Sequence, residues 1–352
     1  MSAAADSSGP DAPKRKGGGL RIFLILLTVA GVLALAAGAA LVGGYYWLQN
    51  EFTREGPAST ETALLLPRGA GLIAIAGQLE REGLVSDARI FRAMVTLDGG
   101  DRSLRAGEFA IPAGASMTEI YEILRFGEFV QHPVTAAEGL TSAMIVRIVE
   151  ASEMLAGAIE AVPPEGSLLP ETYLVTRGTS RQAVLDRMAR DQDALMDSLW
   201  SARAPNLPFS TREEAIILAS IVEKETSVAE ERPLVASVFV NRLRRGMRLQ
   251  SDPTIIYGIS QGEPLGRGIR RSELDNADNP YNTYQIDGLP PTPIANPGRA
   301  SLEAILNPPE TEYLFFVADG TGEHAFSRTY AEHNRNVQRW RRLERERRNA
   351  GR

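Results

Sequence analysis

The chain has 352 residues, a net charge of −6, no cysteine and three histidines. Its acidity removes the electrostatic footprint of a nucleic-acid binder, and the missing cysteines exclude disulfide frameworks, thiolate metal sites and cysteine nucleophiles. The histidines, His132, His324 and His333, stand at no metal-ligand spacing and accompany no G-x-S-x-G elbow, so neither a metal nor another cofactor is expected.

Residues 1–21 combine Ala, Ser, Gly and Pro with a few charges and read as a disordered tail. Ile22 to Leu48 carries no Asp, Glu, Lys or Arg and is long enough to cross a hydrocarbon core of about 30 Å as a helix. Lys14, Arg15, Lys16 and Arg21 precede it, and Tyr45, Tyr46 and Trp47 lie where an interfacial aromatic belt belongs. The positive-inside rule then places the N-terminus in the cytoplasm and everything after Leu48 outside. A cleaved leader is the competing reading, because Ala37-Gly38-Ala39 is a small-residue site. The apolar run nevertheless continues well past that site and ends in aromatics.

Residues 49–62 are polar and read as a linker. Residues 63–150 then form a repeat module: LLPRGAGLIAIAGQLEREGLV (65–85) resembles FAIPAGASMTEIYEILRFGEFV (109–130). Each reads as strand, Pro-x-Gly turn, amphipathic helix, glycine, strand. Leu72, Ile75 and Leu79 match Met117, Ile120 and Leu124, one apolar stripe per helix, and Gly83 and Gly127 stand where C-caps are expected. A weaker third copy begins at 136–149. The plain reading is a small α+β packing module. The sharper one is a glycan-binding module, since the pattern resembles the strand–helix–helix–strand order of LysM units.

Residues 151–338 differ in texture and read as a second α+β domain. EGSLLPETYLV is punctuated by Gly and Pro, a helix follows at about 180–202, and then comes FSTREEAIILASIVEKETS. Thr211 and Glu214 form a capping box at the start of that last helix. At about 100° per residue, Ile217, Ile221, Leu218, Val222 and Ala215 span one arc, with Glu225 near its centre and Glu223 on the opposite, polar face. A carboxyl on the apolar arc is desolvated, its proton is held to higher pH, and it suits general-acid work on a glycosidic oxygen. Glu223 is expected to be a solvated charge or to hold a neighbour. The plain alternative for Glu225 is escape to water where the chain turns at Ser227.

Ser227 and Glu230 predict a second capping box, opening a helix that ends at Gly246. Arg242, Arg244, Arg245 and Arg248 are candidates for anionic substrate groups or for a solvated face. MRLQSDPTIIYGI and NPYNTYQIDGLPPTPIANPG supply amide, hydroxyl and aromatic groups suited to sugars: Gln250, Ser251, Asp252, Thr254 and Tyr257 from the first, Tyr281, Asn282 and Tyr284 from the second. Residues 313–327 predict a hairpin around Asp319-Gly320. A basic helix from Thr329 to about Arg348 follows, its end (339–352) lying beyond the second domain.

Several segments carry a specific resemblance. ASIVEKETSVAEERPLVASVFVNRLRRGMRLQSDPTIIYGI (219–259), YNTYQIDGLPPTPIANPG (281–298), FFVADGTGEHAFSRTYAEHN (315–334) and EGSLLPETY (165–173) are similar, in that order, to the endolytic murein transglycosylases, or YceG-like family. The resemblance implies a single-pass inner-membrane protein with a LysM-like subdomain and a periplasmic α+β catalytic domain. It implies an enzyme that cuts nascent peptidoglycan strands internally beside cell-wall synthases, and it carries the essential glutamate to Glu225, with Glu223 the alternative. The expected reaction cleaves the β-1,4 bond between N-acetylmuramic acid and N-acetylglucosamine and leaves a 1,6-anhydro end. Two other classes stay open: a muramidase-type hydrolase using Asp252 as a second carboxylate, and a non-catalytic scaffold that holds peptidoglycan for synthases.

Overall fold

The computed structural model describes residues 18–350. Most of the expected N-terminal tail therefore lies outside the described residues. The chain divides into two compact units, one running to Val130 and the other beginning at Gln131.

The first unit opens with α1 (Gly18–Thr53). Its stretch from Leu20 to Thr53 is long and apolar enough to cross a membrane. The helix extends past the apolar run, and its last turns belong to the module rather than to a linker. Phe52 is buried against Phe91 and Tyr121, with ring centroids 6.1 and 6.4 Å away. The following residues are packed as well. Gly56 N donates to Gly114 O, and Gly114 N to Ala58 O. A Cβ on Gly56 would lie 2.2 Å from Ala115 O, so only glycine fits there.

After this come β1 (Thr62–Leu66), α2 (Leu72–Arg81), α3 (Ala88–Leu97), β2 (Gly107–Ile111) and α4 (Met117–Phe126). β1 and β2 pair antiparallel, Leu64 opposite Phe109. β1, α2, α3 and β2 run strand–helix–helix–strand as the LysM pattern does, whereas the strand expected after the glycine of each copy does not form; Ile75, Leu79, Ile120 and Leu124 face the core as their spacing predicts. Burying side chains of this size contributes about 1.5–3 kcal/mol each. Gly83 ends α2 with φ +69 and a Schellman pair, Leu84 N to Leu79 O and Gly83 N to Glu80 O. Gly127 differs. Its φ is −60, and glycine is needed because a Cβ would meet Ile123 O at 2.6 Å.

The second unit contains β3 (His132–Thr135), α5 (Ser142–Ala151), β4 (Leu155–Ala156), β5 (Thr172–Val175), β6 (Thr179–Ser180) and α6 (Arg181–Ser201). The weak third copy lies here and not in the repeat module. α5 buries Ile145 and Val149 against Leu185 and Met188 of α6, and β3 pairs with β5. Then follow α7 (Arg212–Glu225), α8 (Arg232–Arg244), α9 (Asp252–Ser260), α10 (Arg271–Leu274), α11 (Arg299–Leu306), the hairpin β7 (Phe315–Ala318) and β8 (His324–Ser327), and α12 (Tyr330–Ala350).

α7 forms the centre of this unit. Thr211 and Glu214 close the expected capping box at its start. Leu218, Ile221 and Val222 pack with Val235 and Phe239 of α8 and with Leu302 and Ile305 of α11. The second capping box does not form. Ser227 and Glu230 are exposed, and α8 starts later, with Glu231 at the N-cap and its carboxylate turned to other partners. α8 does end at Gly246, in the left-handed region at φ +63.

Candidate active site

Glu225 is the last residue of α7, and Thr226 leaves the helix in an extended conformation. The side chain therefore stands at the negative end of the helix dipole, which disfavours a carboxylate. It is half-buried and does not escape to water at Ser227. Ser251 Oγ donates to Glu225 Oε1 at 2.5 Å. The Glu225 carboxyl is pushed up to about 7, mainly by desolvation and in smaller part by the nearby charge of Asp252. The Ser251 hydrogen bond and the positive fields of His324 and Arg242 pull the other way. The group is thus poised near neutrality by opposed effects, with burial the largest.

Ser251 is held for this contact. It is the N-cap residue of α9, yet its hydroxyl makes no capping bond and serves Glu225 instead. Gln250 before it has φ +54, a costly conformation for a side chain of this kind. Three bonds hold the strained turn: Gln250 N to Thr283 O (3.1 Å), Ser251 N to Thr283 Oγ1 (2.9 Å) and Thr254 Oγ1 to Ser251 O (2.7 Å). Thr254 and Thr283 also share a hydrogen bond of 2.9 Å. Both are fully buried, so Thr254 braces the turn and cannot line a cleft as the sequence suggested.

Asp252 is exposed and accepts from Tyr284 OH at 2.8 Å. Burial and the Asp252 charge hold the Tyr284 phenol well above its usual range. Arg242 approaches from α8 and is buried, not part of a solvated stripe. Its guanidinium donates to Leu314 O (2.7 Å), Leu249 O (2.7 Å) and Gln250 Oε1 (3.3 Å), and it stacks over Phe315. Arg248 is spent on Tyr284 O and Asp287.

Glu223 departs from the solvated charge that its polar-face position implied. It accepts from Ser301 Oγ at 2.6 Å and Gly298 N at 3.0 Å, and lies 3.5 Å from the buried Arg232. It thereby caps α11 and ties α7 to α8. Asn282 is also structural. It is fully buried, and its amide donates to the carbonyls of Glu273, Leu274 and Asn276. Tyr257 and Tyr281 meet edge to face at 4.9 Å, with hydroxyls on Glu165 and Thr292. The structure thus groups Glu225, Gln250, Ser251, Asp252 and Tyr284, makes Glu223, Thr254 and Asn282 structural, and pairs Tyr257 with Tyr281 and Glu165.

Sequence reasoning missed several members. Thr283 carries no signal beyond its place in the Asn/Tyr-rich loop. Glu165 lies in the EGSLLPETY segment. Its carboxyl is raised by burial and accepts from Ser142 N, Tyr257 and Asn296. Glu231 and His324 join across the unit at 2.7 Å. Among the described residues no group of three or more His, Asp or Glu is placed to hold a metal ion.

A family model described as the YceG-like family matches residues 64–339. A Streptococcus pneumoniae (strain D39) protein named endolytic murein transglycosylase is 28% identical over 90% of the chain and 65% of its own length. The chain thus spans slightly less than two thirds of that relative. A Bacillus subtilis (strain 168) protein of the same name is 27% identical, covering 80% of this chain and 85% of that one. A crystal structure of a YceG-like protein from Listeria monocytogenes aligns with a TM-score of 0.49 at 27% identity, covering 78% of this chain and 98% of the other.

Proposed function

Because the chain belongs to the YceG-like family, we propose that it is a membrane-anchored lytic transglycosylase acting on peptidoglycan, with Glu225 as its acid and base. The names of its relatives support the enzyme class. The observation that carries the residue assignment is the half-buried Glu225 carboxyl, held by Ser251 and poised at about 7.

The substrate is the β-1,4 bond between N-acetylmuramic acid and N-acetylglucosamine. Protonated Glu225 gives its proton to the glycosidic oxygen, which leaves with N-acetylglucosamine as the C1–O bond breaks. Muramyl C1 takes on oxocarbenium character. Glu225, now ionised, takes the proton from the muramyl C6 hydroxyl, whose oxygen bonds to C1 and closes the 1,6-anhydro ring. The carboxyl regains its starting proton and no water is consumed. A general acid that must become a base works best with its titration near the working pH, and the opposed influences on Glu225 meet that need. Ser251 orients the carboxyl, while Gln250, Asp252 and Tyr284 contact the sugars.

α1 anchors the enzyme with its N-terminus in the cytoplasm of a bacterial cell and the second unit on the outer side of the inner membrane, the orientation that the positive-inside rule favours for basic residues before a span. There it ends strand elongation beside cell-wall synthases.

The test is mass spectrometry of uncrosslinked glycan strands digested by the full chain in detergent. The expected products end in 1,6-anhydro-N-acetylmuramic acid and are lost in Glu225→Gln. Reducing ends would replace this reading with hydrolysis, with Asp252 as the second carboxylate.

A further inference from the structure

Arg242 grips three consecutive residues of the loop that leads to Ser251. Its Nη1 donates to Leu249 O at 2.7 Å, Arg248 O at 3.2 Å and Gln250 Oε1 at 3.3 Å, while its Nε holds Leu314 O at 2.7 Å. A guanidinium has donors only. The Gln250 amide must therefore turn its oxygen toward Arg242, because the reverse orientation would set two donors against each other. Nε2 is left as the free end, with no hydrogen bond to another described residue. Gln250 is exposed, and the next residue, Ser251, donates its hydroxyl to Glu225.

The backbone gives a second, independent sign. Gln250 sits in the left-handed region at φ +54. Gln261 has a similar φ of +55, but it closes the C-terminus of α9, where such a turn is routine. Gln250 stands before that helix instead, at a place where glycine would relieve the strain. Strain of this kind persists where surrounding contacts impose it, and it clusters at working sites.

We propose that Arg242 is a positioning residue that locks the Gln250 amide with its nitrogen free, and that Gln250 donates from Nε2 to the acetamido oxygen of an N-acetylated sugar bound beside Glu225. This rests on the reading of Glu225 as the acid of a glycan-cutting site. A group that can only donate selects an acceptor. Each sugar of the proposed strand carries an acetamido carbonyl, its strongest neutral acceptor. The muramyl lactyl carboxylate is the anionic alternative, and the exposed Asp252 carboxylate two residues on disfavours it. A sugar stripped of its acetyl group presents an ammonium, so a donor would face a donor, and mismatches of this kind discriminate strongly.

The experiment measures kcat/KM of the full chain in detergent on N-acetylated and on chemically de-N-acetylated glycan strands. The unaltered enzyme is expected to prefer acetylated strands about tenfold or more. Gln250→Glu keeps an oxygen for Arg242 and exchanges the donor for an acceptor, so the preference should vanish. Arg242→Lys, a point charge without the planar fork, should shrink the preference several-fold; a merely structural role would lower kcat/KM equally on both strands. Where Arg242→Lys fails to fold, Gln250→Asn takes its place, since it keeps the donor, tolerates the left-handed backbone and is one methylene short of Arg242. An unchanged preference in Gln250→Glu would overturn the donor, and one in folded Arg242→Lys or in Gln250→Asn would overturn the positioning role. Equal cleavage of both strands by the unaltered enzyme would overturn the proposal outright. Failure of the underlying reading would show separately, as an unaltered enzyme that yields no anhydro ends from either strand.

Discussion

Ser251 Oγ and Glu225 Oε1 lie 2.5 Å apart, joining the residue that should cap α9 to the residue that ends α7. A hydroxyl donated to a carboxylate favours its charged form, so the serine opposes the burial that holds the proton on. Ser251→Ala removes that opposition. The descending limb of kcat against pH should move upward from about 7. Loss of one charge-assisted bond should cost kcat about tenfold. A pH-rate series with glycan strands checks both.

Glu225→Gln should lose cleavage by a factor of about 10² to 10⁴ and should also change stability. The folded carboxyl holds its proton up to about 7, above its ordinary 4.5. Its contribution to stability is therefore complete below the unfolded value and is lost as pH rises through the folded one. The wild-type protein should lose about 3 kcal/mol relative to Glu225→Gln between pH 4.5 and 7, then run parallel to it. Urea unfolding of both proteins at several pH values measures the difference.

Glu223→Gln should separate scaffold from chemistry. It leaves buried Arg232 without its shielded counter-charge and weakens the cap on α11. Breaking such a pair costs about 3 kcal/mol. The variant should melt earlier, while its remaining activity keeps the wild-type descending limb. Calorimetry together with a pH-rate profile tests this, and complete inactivity in a folded Glu223→Gln would move the acid to that residue.

Asn282→Ala should act through the loop. Three part-buried carbonyls, of Glu273, Leu274 and Asn276, lose their shared donor, at about 1 kcal/mol for hydrogen bonds of this kind. Its kcat should fall as Thr283 loses its seating, with KM little changed. A large rise in KM with unaltered melting would instead place Asn282 on the sugar.

The contrast between Glu225 and Glu223 shows what a helical wheel can carry. Periodicity within α7 correctly set Glu225 on the apolar arc, because that arc is defined by the helix's own residues. It could not foresee that Ser301, 78 residues on, and Arg232 would cover the face of Glu223. The same limit applies to Arg242, which looked like one of several surface arginines until Leu314 and Leu249 supplied acceptors. The hairpin and the paired turns of the repeat were legible because glycine and alternation act locally. The third copy was not, since its helix resembles the others in pattern and differs only in packing against α6. In the Asn/Tyr-rich loop, sugar-like chemistry was read where the amide groups hold the loop together.

The hairpin of β7 and β8 carries the His324 contact to Glu231 and the Leu314 carbonyl next to it receives Arg242, yet it is among the last segments to leave the ribosome. A chain translated through α7 already contains Glu225 but lacks Ser251, Thr283 and His324. Folding proceeds from the N-terminus during synthesis, so the Glu225 carboxyl stays without Ser251 and the Thr283-braced turn until those segments have emerged. A nascent chain that stops before the hairpin therefore carries Glu225 without the partners that set its surroundings, so the order of the codons also decides when the site is complete.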